Sequence, residues 1–310
     1  MAILAYIFSG LTSYAALTLG LFGLSIKVPR AGFFARCLAA YASLLFCAAY
    51  GVLASICLRI AGRGQISQWT VARAFKWTMW LTTGVHFDII QGQKYLSTRP
   101  AVFLVNHQTE LDVLLLGAVL PQYSAVTAKR SLARVPLLGW FMTLSGTVFI
   151  DRANRETAFK AFDNAASLMK SKGQSVIIFP EGTRSYAREP TMLPFKKGAF
   201  HLAVKAEADI VPIVAENYSH VLDVKKMRFT SGAINVKGEI SPCTFSVVFV
   251  LPPISTKGLT TADVDSLVQP TRQSMLEAMV EMDKMRKIKD IANSQAEEAP
   301  RATRATAIEI

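Results

Sequence analysis

One histidine and one aspartate, five positions apart, are the residues of this sequence best suited to acid–base chemistry. They lie in AVFLVNHQTELD, residues 101–112, where a buried strand is expected to end at Asn106 and His107 and a helix to begin near Leu111. On one continuous helix, side chains with this spacing would point about 140° apart. The two can meet only if His107 lies on the turn and Asp112 lies in the first turn of the helix.

Such a pair would work as a general base. A carboxylate that accepts from one imidazole nitrogen fixes the tautomer and leaves the other nitrogen free to take a proton. The group deprotonated can be a hydroxyl of the substrate, so no nucleophile from the protein is needed. The pattern is weak by itself, because a loop histidine followed by a helix-start aspartate also produces it.

A second motif, IIFPEGTRS at residues 177–185, is typical of a turn that binds phosphate. A buried strand runs into the residues Glu181, Gly182, Thr183 and Arg184. Glycine allows a tight turn with exposed N–H groups, and the planar guanidinium fork suits a phosphate. A surface turn with a Glu181–Arg184 ion pair is the alternative interpretation.

Other candidate residues also follow predicted strands. GTVFIDR, residues 146–152, places Arg152 where it could share an anion with Arg184, and TAKRSL supplies Lys129 as a further basic candidate. In DIVPIVAEN, Pro212 interrupts a β-branched run, which predicts an edge strand or a bulge. A solvated charged face would explain the cations equally well.

The elements that must position these motifs alternate between strand and helix. Strands are predicted at 85–90, 101–105, 123–128, 147–150, 175–179 and 210–214, and helices at 111–120, 135–145, 154–172 and 198–207. This alternation predicts an α/β fold with a mixed, largely parallel sheet flanked by helices. Two more strands, 231–240 and 244–251, lack an intervening helix and are expected to form an antiparallel edge.

The N-terminal segment is apolar enough for a membrane. No charged residue precedes Lys27, and 37–58 is a second uncharged run, so residues 1–62 are predicted to be a membrane-embedded helical hairpin, spanning or monotopic. A cleavable signal peptide is less favoured, because no positive charge begins the chain and the apolar run is too long. The remaining predicted units are an interfacial amphipathic helix (63–84), the α/β domain (85–260), an amphipathic helix (261–290) and a disordered tail (291–310).

Composition favours an anionic lipid as the partner. Hydrophobic residues make up 51% of the chain, and 34 basic against 22 acidic residues give a net charge of +12. A hydrophobic, basic chain fits lipid headgroups better than nucleic acid. The positive-inside rule for membrane proteins would produce the same excess of basic residues without any role in substrate binding. The four cysteines and four histidines show no metal-binding spacing, so no metal is expected.

Four motifs in order make the case together. NHQTELD, GTVFIDR, FPEGTRS and the VPIV strand resemble the four ordered blocks of the glycerolipid acyltransferase family, over about residues 75–255. The NHQ-x-x-LD and EGTRS forms are most similar to the eukaryotic members, including fungal ones, that act on lysophosphatidate. The N-terminal hairpin is similar to that group as well.

The resemblance implies a phospholipid-synthesising enzyme of the endoplasmic reticulum membrane. It would transfer an acyl group from acyl-CoA to the sn-2 hydroxyl of lysophosphatidate, giving phosphatidate and CoA, without a cofactor. It implies His107 as general base and Asp112 as its orienting partner, with Lys129 as a possible oxyanion or CoA contact. The implied site for the acceptor phosphate consists of Glu181, Gly182, Thr183, Arg184 and Arg152.

Two alternatives stay open on the sequence. The acceptor could be glycerol 3-phosphate or another lysophospholipid. The chain could also be a non-enzymatic, lipid-binding membrane protein, in which case His107 and Asp112 would be dispensable. A serine hydrolase is disfavoured, because the sequence has no G-x-S-x-G elbow.

Overall fold

A computed structural model describes residues 2–231 and 245–305. The helices are α1 Ala2–Leu24, α2 Pro29–Ile60, α3 Ser67–Thr83, α4 Asp112–Val119, α5 Leu138–Leu144, α6 Arg155–Lys172, α7 Gly198–Ala206 and α8 Val264–Ala305. The strands are β1 His86–Gln91, β2 Ala101–Val105, β3 Ser124–Lys129, β4 Val148–Ile150, β5 Ser175–Ile178, β6 Asp209–Ala215, β7 Leu222–Asp223, β8 Arg228–Phe229 and β9 Phe245–Val250. The predicted strand 231–240 falls almost wholly outside the described residues.

Seven strands form one mixed sheet in the order β1-β9-β6-β2-β5-β3-β4. Strands β2 to β6 run parallel to one another, and β1 and β9 run the opposite way. The predicted α/β fold with a largely parallel sheet is confirmed. Because β2, β3, β4, β5 and β6 are parallel, their carboxyl ends meet at one edge of the sheet, which is where ligands bind in open α/β sheets.

The predicted antiparallel edge is wrong in its position. Strand β9 pairs antiparallel with β6 on one side but parallel with β1 on the other, so it lies inside the sheet. Strand β1 comes from the start of the domain, and this pairing is invisible to a local pattern because about 150 residues separate the two strands.

Of the two interpretations of Pro212, the edge strand is wrong, but the bulge is confirmed. Strand β6 lies between β2 and β9, and Pro212 is in register with Leu104 of β2. The N–H of Ile210 donates to Ile254, and position 212 faces the same way because strand residues alternate. Ile210 pairs with Ile254 but Ile213 pairs with Val250, so the register shifts by one residue around Pro212. The Pro212 carbonyl still accepts from the N–H of Leu251 at 2.9 Å.

Two apolar cores cover the two faces of the sheet. One contains α3 and α4 with the inner side of α2, and includes Phe75, Leu115 and Phe103. The other contains α6, α7 and α8, and includes Met169 and Phe200. Residues of β2 alternate between the two cores, as expected for a strand buried on both faces. This packing fixes the carboxyl edge of the sheet rigidly.

The N-terminal helices α1 and α2 are each long and apolar enough to cross a membrane. A stripe of small side chains, four positions apart, faces the domain from α2: Ala35, Ala39, Ser43, Cys47, Gly51 and Ser55. Ser43 contacts Thr82 and Cys47 contacts Thr78 through their side chains. Small residues let helix backbones approach closely, so α2 is packed lengthwise against α3.

The C-terminal helix is longer than predicted. Helix α8 continues to Ala305, so residues 291–305 are helical where the sequence predicts a disordered tail from 291. Five of its fifteen residues are alanine, the strongest helix former, and the segment extends a helix that is already nucleated and that continues through Pro300. Residues 306–310 lie outside the described residues.

Candidate active site

The turn between β2 and α4 is fastened to the end of β6. The Asn106 side chain donates to the carbonyl of Ala215 at 3.0 Å and accepts from its N–H at 2.9 Å. The Gln108 amide donates to the Glu216 carbonyl at 2.7 Å. Both side chains are buried and replace the ladder bonds that β2 loses where it turns. The histidine between them is therefore held by both of its neighbours.

The structure brings His107 and Asp112 together across this turn. His107 Nδ1 lies 2.6 Å from Asp112 Oδ2, and the aspartate side chain is only 2% exposed. The same oxygen accepts from the N–H groups of Gln108 at 2.7 Å and Thr109 at 3.1 Å. A buried carboxylate with this many donors is held in one orientation, so it can fix the imidazole tautomer.

The free nitrogen of the ring is positioned for proton transfer. The His107 ring stacks on Phe179 with its centroid 4.3 Å away, and its side chain is 16% exposed. Within residues 2–231 and 245–305, Nε2 has no hydrogen-bond partner. An imidazole with one nitrogen held and the other open at a partly exposed site has the geometry of a general base.

Sequence reasoning missed a third member of this group, Tyr218. Its ring is fully buried, and its hydroxyl donates to Asp112 Oδ1 at 2.5 Å. Burial, and next the charge of Asp112, raise the pKa of Tyr218 well above its ordinary value. The hydroxyl therefore remains a donor at working pH. The one sequence signal was a tyrosine just beyond a buried strand, which does not name its partner.

Replacing Tyr218 with phenylalanine should lower turnover by about tenfold and destabilise the fold by about 1–3 kcal/mol, because Asp112 Oδ1 would be buried without its donor. Steady-state kinetics and thermal unfolding would measure the two effects. Tyr95→Phe, on a partly exposed ring, is the control. Wild-type values for Tyr218→Phe in both measurements would exclude a supporting role for the hydroxyl.

Glu181 does not do what the sequence predicts. Its carboxylate is buried, with Oε1 accepting from the N–H of His107 at 2.7 Å and Oε2 from the N–H of Leu193 at 2.8 Å. Burial raises its pKa, and these two backbone donors oppose the increase. A buried carboxylate would repel a phosphate. Glu181 instead joins the phosphate turn to the backbone of the histidine.

The rest of the EGTRS turn lies directly beside the histidine turn. The N–H of Ser185 donates to the His107 carbonyl at 3.0 Å, and that of Tyr186 to the Gln108 carbonyl at 3.1 Å. Gly182 has φ +72°, a backbone conformation that favours glycine.

Two guanidinium groups converge at this turn. Arg152, after β4, donates to the Gly182 carbonyl. Burial, and next the positive charge of Arg184, lower the pKa of Arg152, so the two cations are close enough to interact. Arg184 donates through Nη1 to Glu110 at 3.0 Å, and Tyr186 donates to the same carboxylate at 2.6 Å. Neighbouring cations with exposed N–H groups favour an anion.

The remaining predicted residues, Thr183 and Lys129, are not brought into contact with His107 and Asp112. Thr183 is exposed on the turn. Lys129 is exposed at the carboxyl end of β3, and β5 separates that strand from β2. In the described part of the chain, no group of three or more histidine, cysteine or acidic side chains could hold a metal.

The comparisons agree with this geometry. The Acyltransferase family model matches residues 89–216, which include the histidine turn and the phosphate turn. The chain is 37% identical over 255 residues to the 1-acyl-sn-glycerol-3-phosphate acyltransferase of Saccharomyces cerevisiae, covering 82% of this chain and 80% of that protein. It is 34% identical over 252 residues to the human 1-acyl-sn-glycerol-3-phosphate acyltransferase beta, covering 81% and 85%.

A solved structure shares the fold. The crystal structure of the lysophosphatidate acyltransferase PlsC from Thermotoga maritima aligns with a TM-score of 0.58, over 88% of this chain and 97% of that one. At 19% sequence identity, this likeness establishes the fold and nothing finer.

Proposed function

The chain belongs to the acyltransferase family that includes the 1-acyl-sn-glycerol-3-phosphate acyltransferases, and from that premise we propose that it acylates the free hydroxyl of lysophosphatidate to give phosphatidate. The observation that carries the proposal is the 2.6 Å contact between His107 and Asp112, beside a turn that contains Arg184 and is contacted by Arg152. A base next to an anion site suits an acceptor with a hydroxyl close to a phosphate.

We propose acyl-CoA as the donor. His107 Nε2 takes the proton of the sn-2 hydroxyl as that oxygen attacks the thioester carbonyl. The tetrahedral oxyanion then collapses, the C–S bond breaks, and the thiolate receives the proton from the imidazolium. Asp112 stabilises the imidazolium between these steps. General acid–base catalysis of this kind contributes about 10²–10⁴ in rate.

The oxyanion requires a donor of its own. A backbone N–H near the start of α4 and the ammonium group of Lys129 are the two candidates. The exposed position of Lys129 at the carboxyl end of β3 also leaves it available to a phosphate of CoA.

Arg184, with Arg152, Gly182 and Thr183, is assigned to the acceptor phosphate. Nη1 of Arg184 is held by Glu110, and its remaining N–H groups can meet two phosphate oxygens at once. Glu181 supports this turn from beneath through its backbone contacts rather than touching the phosphate.

Arg184→Ala should raise the Michaelis constant for lysophosphatidate by about 10–100-fold, since a charge-assisted bidentate contact contributes about 1.5–3 kcal/mol. The constant for acyl-CoA should change little. Arg155→Ala, on an arginine exposed on α6, is the control. A larger increase for acyl-CoA than for lysophosphatidate would move the turn to the donor side.

The proposal is tested with purified full-length protein, radiolabelled acyl-CoA and a panel of acceptors. Lysophosphatidate should be acylated with a much higher kcat/KM than glycerol 3-phosphate or lysophosphatidylcholine. A preference for either of these would assign the site to another acceptor. Absence of transfer to all three, with lipid binding retained, would support the non-enzymatic alternative.

Two apolar N-terminal helices are consistent with membrane association. Lysophosphatidate and the acyl chain of the donor both partition into lipid, so a site on a membrane-bound enzyme would meet its substrates at the bilayer surface. Residence in the endoplasmic reticulum is proposed by analogy with the eukaryotic members of the family.

A further inference from the structure

Apolar side chains project from the segment that follows β3. Leu132, Val135 and Trp140 are 36%, 40% and 56% exposed. The segment is nevertheless fixed in place. The Phe141 ring, next to Trp140 in the chain, packs directly against Gly51 of α2, where even a Cβ would lie only 2.6 Å from the ring. The side chain of Arg59 also donates to the Leu144 carbonyl at 2.7 Å. Ordered backbone with large apolar side chains facing outwards marks an interaction surface.

The charges around this surface have one sign. No acidic residue precedes Asp88 in the chain, and none lies between Asp112 and Asp151. Arg130 and Arg134 flank the apolar side chains and are exposed. Aromatic and aliphatic side chains interleaved with arginine suit the headgroup region of an anionic bilayer.

The opposite face of the molecule has a different character. Helix α6 packs in the second core and carries acidic and basic side chains together, with Lys160 paired to Glu156 and Lys205 of α7 paired to Asp163. Phe159 is exposed on this face, but a single exposed apolar side chain is ordinary on a protein surface.

We propose that residues 130–140 form a membrane-binding surface, distinct from α1 and α2, that inserts into the headgroup region of an anionic bilayer. The segment begins directly after Lys129, at the sheet edge that holds His107. It also adjoins the half of α2 that exposes Leu53, Ile56 and Ile60. Insertion here would hold the active-site edge at the lipid surface, where a lipid acceptor arrives. The exposure and charge of this surface do not depend on the identity of the acceptor.

Tryptophan quenching tests the proposal on the full chain in phosphatidylcholine–phosphatidylserine vesicles with brominated acyl chains. The difference between the wild type and Trp140→Phe isolates the emission of Trp140. The control adds Phe159→Trp to the Trp140→Phe protein, because Phe159 is 46% exposed on the opposite face. Activity in detergent confirms that each variant is folded.

We expect the brominated lipid to quench most of the Trp140 emission and iodide to quench little of it, with the reverse at position 159. Replacing Arg130 and Arg134 with glutamine should weaken local insertion by about fivefold for each arginine. Equal quenching by iodide at positions 140 and 159 would overturn the proposal. Protection of Trp140 from both quenchers would also overturn it, since a second copy of the chain would then cover the surface.

Discussion

Replacing His107 with alanine is expected to lower turnover by at least about 100-fold. The imidazole would be lost from a site where Nδ1 is held 2.6 Å from Asp112 and Nε2 has no partner among the described residues. An unassisted hydroxyl is a poor nucleophile, and His107 is the histidine whose Nδ1 contacts the buried carboxylate of Asp112. Binding of both substrates should persist, because the arginines of the phosphate turn are untouched.

Initial rates at saturating acyl-CoA and lysophosphatidate would measure this loss, with thermal unfolding as the check on folding. The matched control is His201→Ala, on a partly buried histidine of α7. A folded His107→Ala protein with near-normal turnover would remove the general base from the account.

Asp112→Asn is expected to cost at least about 100-fold in turnover as well, although the imidazole remains. Asp112 accepts from His107, from two backbone N–H groups and from Tyr218. An asparagine that turns its oxygen towards the ring keeps the tautomer but loses the charge that stabilises the imidazolium. With its nitrogen towards the ring, it forces the wrong tautomer.

The Michaelis constants of Asp112→Asn should stay near wild type, because the Asp112 side chain is only 2% exposed. Asp88→Asn is the control: Asp88 Oδ2 lies 3.6 Å from a ring nitrogen of His86 but is 43% exposed, so this second pair lacks the buried carboxylate. A full rate for Asp112→Asn, or an equal loss for Asp88→Asn, would contradict a specific orienting role.

Local pattern predicted the elements that carry the site. The strands around His107, Glu181 and Arg152 were expected within one or two residues of their observed ends, because each is a short apolar run followed by turn residues. The meeting of His107 and Asp112 could also be predicted. It follows from the change of direction between a strand and a helix, which the sequence of the turn makes visible.

Contacts between distant segments could not be predicted in this way. Tyr218 reaches Asp112 from 106 positions away, and β9 enters the sheet beside β1. Glu181 looked like a phosphate contact because it neighbours Arg184, but burial turns its carboxylate towards two backbone N–H groups. In each case, the role of the residue depends on which distant residue the fold brings into contact with it. The local sequence pattern carries no information about that contact.

The catalytic claim is that the imidazole and the carboxylate act as one unit. Turnover of the His107→Ala/Asp112→Asn double variant, measured beside both single variants, tests that claim most directly. Residues that act as a unit are strongly non-additive, so the double variant should be no slower than His107→Ala alone. Losses that multiply, to about 10⁴-fold or more, would show two independent contributions and contradict the proposed pair.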